Sequence, residues 1–153
     1  MIVLFTDGSA LGTPGAAGWA YVAVRDNVML RYKAGCIECG TNNQGELMAV
    51  IGALLEAAKL HKQYPDDRIV LVSDSMYVLG GIPQSDDWGF DKHRKNYDLW
   101  RKTYYALRAV GTYVTLKWVR GHDGNPNNEL CDKLARRAAR NQEDYEWQMK
   151  QNK

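Results

Sequence analysis

Cysteine is scarce in this sequence, and a disulfide framework is not expected. The three cysteines, Cys36, Cys39 and Cys131, are an odd number. Cys36 and Cys39 have the spacing of half a zinc site, but no second Cys or His pair accompanies them. We therefore expect a chain that folds without disulfides or structural zinc, in the reducing environment of the cytoplasm.

Long apolar runs and a strong net charge are also absent. The longest apolar stretch, residues 49–55, is far too short to span a bilayer. The apolar start reaches Asp7 at once, so a secretory signal is not expected either. The formal net charge is only +2. We therefore expect no membrane partner, and any surface that binds an anionic partner must be a local one.

The composition is that of an ordinary globular domain. The 153 residues are enough for one domain with its own core, and 45% of them are hydrophobic and 25% charged. Repeats, low-complexity segments and linkers are absent from the sequence. We expect one domain over residues 1–140, followed by a charged tail, residues 141–153, that either docks on the domain or is disordered.

The first predicted strand is the apolar run Ile2–Phe5. The run does not alternate with polar residues, which indicates a strand buried on both faces. It ends at Asp7, beside glycines that allow tight turns. An antiparallel partner is predicted over residues 18–24 and a third strand over residues 28–33. Because burying an unpaired charge is unfavourable, Asp7 either caps a turn at the rim of the sheet or has a partner.

A helix and a second buried strand bring another acid towards Asp7. The segment Thr41–Gln44 has the spacing of a capping box and predicts a helix start, with Glu46 in the first turn. The apolar run Ile69–Val72 follows and ends at Asp74. A parallel crossover would put this strand beside the first, with both acids at the carboxyl ends of their strands. Two neighbouring acids repel each other unless a cation lies between them.

The second half of the chain is predicted to contain three helices and one strand. The helices cover residues 76–81, residues 97–110 and a segment that begins at Pro126, with Asn125 as its N-cap. The strand covers residues 112–119. Asp132 lies near the start of the last helix. The chain therefore has four acids at strand ends or near helix starts: Asp7, Glu46, Asp74 and Asp132.

Four convergent carboxylates would suit hard divalent ions such as Mg²⁺, which prefer oxygen ligands. Two such ions about 3.5–4 Å apart can promote an in-line displacement at phosphorus. The spacing alone leaves simpler explanations open, since Glu46 also complements the dipole of its helix and Asp7 also suits a turn.

Several motifs narrow these alternatives. They are Thr6-Asp7-Gly8-Ser9, Thr41-Asn42-Asn43 with Glu46-Leu47-Met48-Ala49, Ser73-Asp74-Ser75 with Tyr77-Val78, and Trp118-Val119-Arg120-Gly121-His122 followed by Asn128-Glu129, Cys131-Asp132 and Leu134-Ala135. In this order they resemble type 1 ribonuclease H, from the first strand to about Ala139. The resemblance implies a mixed α/β, ribonuclease H-like fold. Its five-stranded mixed sheet has three antiparallel strands followed by parallel strands, and helices flank it.

The resemblance also implies a reaction and the residues that carry it. The reaction is endonucleolytic hydrolysis of the RNA strand of an RNA–DNA hybrid by two Mg²⁺ ions, which Mn²⁺ can replace, leaving 3′-hydroxyl and 5′-phosphate ends. The metal ligands implied are Asp7, Glu46, Asp74 and Asp132, with Asp7 shared by both ions. His122 is implied to handle a proton or to assist product release.

The implied substrate contacts lie in two regions. Gly8, Asn42 and Asn43 match family positions near the minor groove of the hybrid, where only RNA displays a 2′-hydroxyl. Thr41 matches a position near a phosphate of the DNA strand. In some relatives a long basic segment grips that strand. Here the segment is shorter and keeps Trp88, Lys92, Arg94 and Lys95. Trp88 either packs against the DNA strand or pins its loop to the core.

Met76 is a further departure, since many relatives have a Gln there that can hydrogen-bond substrate. Two other functions remain open: a hybrid- or duplex-RNA-binding module that has lost catalysis, and an integrase- or resolvase-like enzyme that cuts DNA. The four acids argue against the first, and the Thr41-Asn42-Asn43 and Gly121-His122 motifs against the second. A monomer is expected.

Overall fold

The computed structural model describes residues 1–83, 87–121 and 124–150. Along these residues the elements follow one another in the order β1, β2, β3, α1, β4, α2, α3, β5, α4 and β6. The strands are β1 Ile2–Ala10, β2 Gly15–Arg25, β3 Val28–Gly40, β4 Ile69–Ser73, β5 Val114–Trp118 and β6 Tyr145–Gln148. The helices are α1 Asn42–Gln63, α2 Met76–Gly81, α3 Tyr97–Val110 and α4 Pro126–Asn141.

The strands form one mixed sheet in the order β5-β4-β1-β2-β3-β6. Strands β1, β2 and β3 are antiparallel neighbours, and β4 and β5 continue the sheet in parallel to β1. The predicted crossover is confirmed, because Phe5 pairs with Val72. The predicted count of five strands is wrong by one, since β6 pairs with β3 at the opposite edge.

Helices cover both faces of the sheet, which explains why the central strands are apolar without alternation. On one face Ile2 and Leu4 pack with α1 and with the fully buried Trp100 of α3. On the other face Phe5 and Val22 pack with α4. Alternate residues of β1 therefore enter two separate cores, and the strand is held in a fixed position between them.

The starts of the helices follow from their capping residues. Gln44 donates its backbone N–H to Thr41 Oγ1 at 3.2 Å, and Thr41 donates its backbone N–H to Gln44 Oε1 at 3.0 Å, which is the predicted capping box. Asn125 caps α4 by accepting the backbone N–H of Asn127 at 2.9 Å, with Pro126 in the first turn. Both caps lie at the same end of the sheet as the carboxyl ends of β1 and β4.

The described part of the tail docks on the domain. In β6, Trp147 stacks on Tyr32 with 6.2 Å between ring centroids, and Met149 donates its backbone N–H to the Leu30 carbonyl at 2.9 Å. Asp144 Oδ1 accepts the backbone N–H of Cys36 at 3.1 Å. In the described ranges, no helix is both long and apolar enough to cross a membrane.

Candidate active site

Three of the four predicted acids meet at the carboxyl ends of β1 and β4. Asp7, Glu46 and Asp74 each offer an oxygen, and these oxygens lie within 4.8 Å of one another. The parallel register of β1 and β4 aligns the two aspartates. Thr6 stabilises this alignment, because its hydroxyl donates to the Val72 carbonyl at 2.7 Å between the two strands.

Glu46 joins the two aspartates because α1 begins directly against β1. A side chain at Gly8 would collide with the backbone of Gly45 and Glu46, and one at Gly45 would meet the Gly18 carbonyl oxygen at 2.7 Å. Only glycine allows two backbones to approach this closely. Gly8 therefore positions Glu46 as well as lining the cleft, a role that the motif alone did not reveal.

Two of the three acids, Asp7 and Glu46, sit in an environment that disfavours their charged forms. Burial, and next the charge of Asp74, raises the pKa of Asp7 to about 7. Burial, and next the charge of Asp7, raises the pKa of Glu46 well above its usual value. Glu46 Oε2 is buried and has no hydrogen-bond partner in the described part of the chain. This combination of buried, mutually repelling oxygens is typical of a cation site.

Asp132 lines the same cleft from α4 but lies outside the group of three. Its carboxylate is 22% exposed and forms an ion pair with Arg136, one helical turn along, with 3.2 Å between Oδ1 and Nε. It is close enough for its charge to contribute to the raised pKa of Asp7. The fourth acid therefore faces the cluster across the cleft, with an arginine already paired to it.

The loop after β5 borders the cleft on the side of Asp74. A side chain at Gly121 would come within 2.6 Å of Asp74 Oδ2, so the backbone of the loop lies against that carboxylate. Trp118 Nε1 donates to the Asp74 carbonyl at 3.2 Å and fixes the preceding strand end. The predicted site residue His122 follows Gly121 and lies outside the described residues.

The remaining cleft wall is formed by the predicted minor-groove residues. Gly8, Asn42 and Asn43 line the cleft beside the acids, and both asparagines are exposed. Met76, which stands where many relatives have Gln, lines the same wall and is 66% exposed. The cleft is thus open on this side, with the catalytic candidates at its floor.

A family model described as RNase H matches residues 1–140. The chain belongs to the ribonuclease H family. Ribonuclease H from Escherichia coli O139:H28 is 40% identical over 148 aligned residues, which cover 92% of this chain and 90% of that protein. The chain is therefore a nuclease, as its motifs predict.

Solved ribonuclease H structures share the fold. LC9-RNase H1, described as a type 1 RNase H with the type 2 active-site motif, has a TM-score of 0.70 at 28% identity, over 97% of this chain and 77% of that one. LC11-RNase H1, solved in complex with an RNA/DNA hybrid, has a TM-score of 0.72 at 20% identity, over 93% of this chain and 99% of that one. The predicted α/β ribonuclease H-like fold is confirmed.

The short basic segment of this ribonuclease H is partly used for packing. Trp88 packs edge-on against Trp100 and Tyr104, with ring centroids 6.3 and 5.4 Å away. The Arg94 guanidinium lies over the Trp100 ring at 4.2 Å. Lys92 and Lys95 are exposed. Trp88 thus pins its loop to the core, whereas Lys92 and Lys95 carry their charges at the surface.

A polar network that sequence reasoning missed holds the cleft wall together. Gln44 Nε2 donates to Asn96 Oδ1 at 3.0 Å, and Asn96 Nδ2 donates to the Tyr77 hydroxyl at 3.0 Å. Trp100 Nε1 donates to the same hydroxyl at 3.1 Å. The network links the starts of α1 and α3 to α2. Its members are far apart in sequence, so no spacing could have signalled it.

Proposed function

We propose that this ribonuclease H hydrolyses the RNA strand of RNA–DNA hybrids in a reaction that requires divalent metal ions. The observation that carries the proposal is the cluster of Asp7, Glu46 and Asp74, with Asp132 facing it, in a chain of this family. The hybrid bound to LC11-RNase H1, which has the same fold, supports the substrate class.

The residues fit divalent ions on their own chemistry. Three carboxylate oxygens within 4.8 Å of one another repel unless positive charge lies among them, and a buried Glu46 oxygen without a described partner needs one. Asp7, Glu46, Asp74 and Asp132 would hold two Mg²⁺ ions, or Mn²⁺ ions in their place. When bound, such ions supply the positive charge that activates water and stabilises the leaving 3′ oxygen.

The cleft wall supports the choice of RNA. The minor groove of a hybrid displays the 2′-hydroxyls, which donate and accept hydrogen bonds. The Asn42 and Asn43 amides can do both, and the bare backbone at Gly8 leaves room for the strand. The Thr41 hydroxyl accepts the helix N–H and still has its own hydrogen to donate to a DNA-strand phosphate. These four residues are the proposed contacts of the hybrid on this side of the cleft.

The experiment compares four substrates under identical conditions: a uniformly labelled RNA–DNA hybrid, a DNA duplex, an RNA duplex and a branched DNA junction, each with and without Mg²⁺. We expect cleavage of the hybrid alone, in its RNA strand and only with metal. Mass spectrometry of the fragments should find 5′-phosphate and 3′-hydroxyl ends. Tight binding without cleavage would favour a binding module, and cleavage of the DNA substrates an integrase-like enzyme. The monomeric state and the cytoplasmic location stay predictions.

A further inference from the structure

Helix α4 has one buried face and one basic face. Its buried residues pack against the sheet and are Cys131, Leu134, Ala135, Ala138 and Ala139. Four cations lie on its exposed face. Of these, Arg137 lies over the Tyr145 ring at 4.4 Å and is used to hold the tail. Lys133, Arg136 and Arg140 remain, and we call these three the α4 basic face.

The middle residue of the α4 basic face, Arg136, lies in the catalytic cleft. Arg136 lines the cleft, is 57% exposed and pairs with Asp132. Lys133 and Arg140 are exposed and have no ion-pair partner among the described residues. The three positions are separated by three and four residues, so they form a stripe along one side of the helix. That stripe is about 10 Å long, which matches roughly three successive phosphates of one strand.

The distribution of charge around the cleft also favours the α4 basic face. The net charge of the chain is only +2, and four acids line the cleft, so a polyanion needs concentrated positive charge near them. The short basic segment offers less positive charge to a polyanion than its composition suggests, since the Arg94 guanidinium packs on Trp100. Arg136 of the α4 basic face lines the same cleft as Asn42, Asn43 and the fourth acid.

We propose that the α4 basic face binds phosphates of the strand that is cleaved, and that Arg136 changes partner during binding. Without metal its guanidinium neutralises Asp132. When a divalent ion takes over Asp132, the exposed Arg136 side chain can turn to the phosphate next to the cleavage point. The proposal rests on the proposed function, because it assumes that a hybrid enters this cleft.

The test measures the affinity of a labelled hybrid against salt concentration, with Ca²⁺ replacing Mg²⁺ to slow turnover. The variants are Arg136→Gln and the triple variant Lys133→Gln, Arg136→Gln, Arg140→Gln. The matched control removes three exposed cations near the far ends of α1 and the sheet: Lys59→Gln, Lys62→Gln, Arg68→Gln. Thermal unfolding checks that each variant folds.

Each lost phosphate contact should reduce the log–log salt slope by about 0.7–0.9. We therefore expect a slope lower by about 2–3 in the triple variant and by about 0.7–0.9 in Arg136→Gln, while the control keeps the wild-type slope. Wild-type slopes in both α4 variants would overturn the proposal. If the triple variant does not fold, the single variant decides. A wild-type chain that neither binds nor cuts hybrid would instead refute the proposed function.

Two further readouts separate the parts of the proposal. Neutral methylphosphonates in the RNA strand should abolish the difference between wild type and Arg136→Gln, whereas the same change in the DNA strand should preserve it; the reverse would assign the stripe to the DNA strand and overturn the proposal. Calorimetry without nucleic acid should find tighter Mg²⁺ binding to Arg136→Gln, because a competing cation is gone. Equal or weaker binding would contradict the exchange of partners.

Discussion

At the scale of single residues, Asp7 combines the two features that define the site. It follows the apolar part of β1, which is buried on both faces, and it lies beside Asp74 and Glu46. Its carboxyl is therefore destabilised in the charged form, with a pKa raised to about 7. The crowding of acids that disfavours the charged carboxylate in the absence of metal also attracts a divalent ion.

This environment predicts how stability depends on pH without metal. Below its ordinary pKa of 3.8 the Asp7 carboxyl is protonated in both the folded and the unfolded chain. Between there and about 7 the unfolded chain releases the proton while the folded chain keeps it, so the free energy of unfolding falls as pH rises. Above the raised pKa the free energy of unfolding has lost this whole contribution and falls no further on account of Asp7.

Asp7→Asn should therefore be more stable than the wild type at pH 8 and equally stable near pH 4, both in EDTA. Urea unfolding at the two pH values measures this difference. An Asn variant that is less stable than the wild type at pH 8 would contradict the argument, since it would mean that the Asp7 charge stabilises the metal-free fold.

His122 carries a second residue-scale prediction. Its neighbour Gly121 lies against the Asp74 carboxylate, so the loop that holds His122 starts at the cleft. If His122 handles a proton or assists product release, His122→Ala should lower kcat by about 10–100-fold with little change in KM. Steady-state kinetics from pH 6 to 9 provide the measurement. An unchanged kcat across that range would remove His122 from the mechanism.

At the scale of elements, the sequence predicted those features that depend on local chemistry. Thr41 and Gln44 set the start of α1, Pro126 and Asn125 set the start of α4, and α3 has the predicted bounds. The unalternating run Ile2–Phe5 correctly indicated a central strand. These signals work because caps and burial depend on a few neighbouring residues.

Strand ends and the sixth strand were not predictable in this way. Strand β1 continues to Ala10 and β3 to Gly40, since backbone pairing with β2 extends beyond the apolar residues. Strand β6 is short and largely exposed, and it pairs with the edge that β3 offers. Apolar patterns report burial, whereas pairing depends on which partner is available. The Arg136–Asp132 pair had a signal, the four-residue spacing on a helix.

The network that joins α1, α2 and α3 gives an element-scale prediction. Tyr77→Phe removes the acceptor for two donors, Asn96 Nδ2 and Trp100 Nε1. Leaving buried donors unpaired typically costs about 1–3 kcal/mol, so we expect that loss in the free energy of unfolding by urea. Tyr105→Phe, at a tyrosine that is 58% exposed, is the control and should change it by less than about 0.5 kcal/mol. If Tyr77→Phe and Tyr105→Phe changed the free energy of unfolding equally, the network would contribute nothing to stability.

At the scale of the whole molecule, weak net charge makes binding depend on small basic surfaces. Removing the exposed lysines of the short segment, Lys92→Gln with Lys95→Gln, should raise KM, leave kcat nearly unchanged and lower the salt slope by up to about 1.8. Arg94→Gln should act mainly on stability, because its guanidinium packs on Trp100. A wild-type slope in the double lysine variant would mean that these lysines form a solvated surface only.

The central claim is that the convergent carboxylates hold the metal ions on which hydrolysis depends. The most direct test is the initial rate of hybrid cleavage as a function of Mg²⁺ concentration, for the wild type and for Asp7→Asn. We predict no cleavage by the wild type without metal, a rate that rises and saturates with Mg²⁺, and no detectable cleavage by Asp7→Asn although it remains folded. Cleavage in the absence of metal, or wild-type rates in Asp7→Asn, would contradict the account.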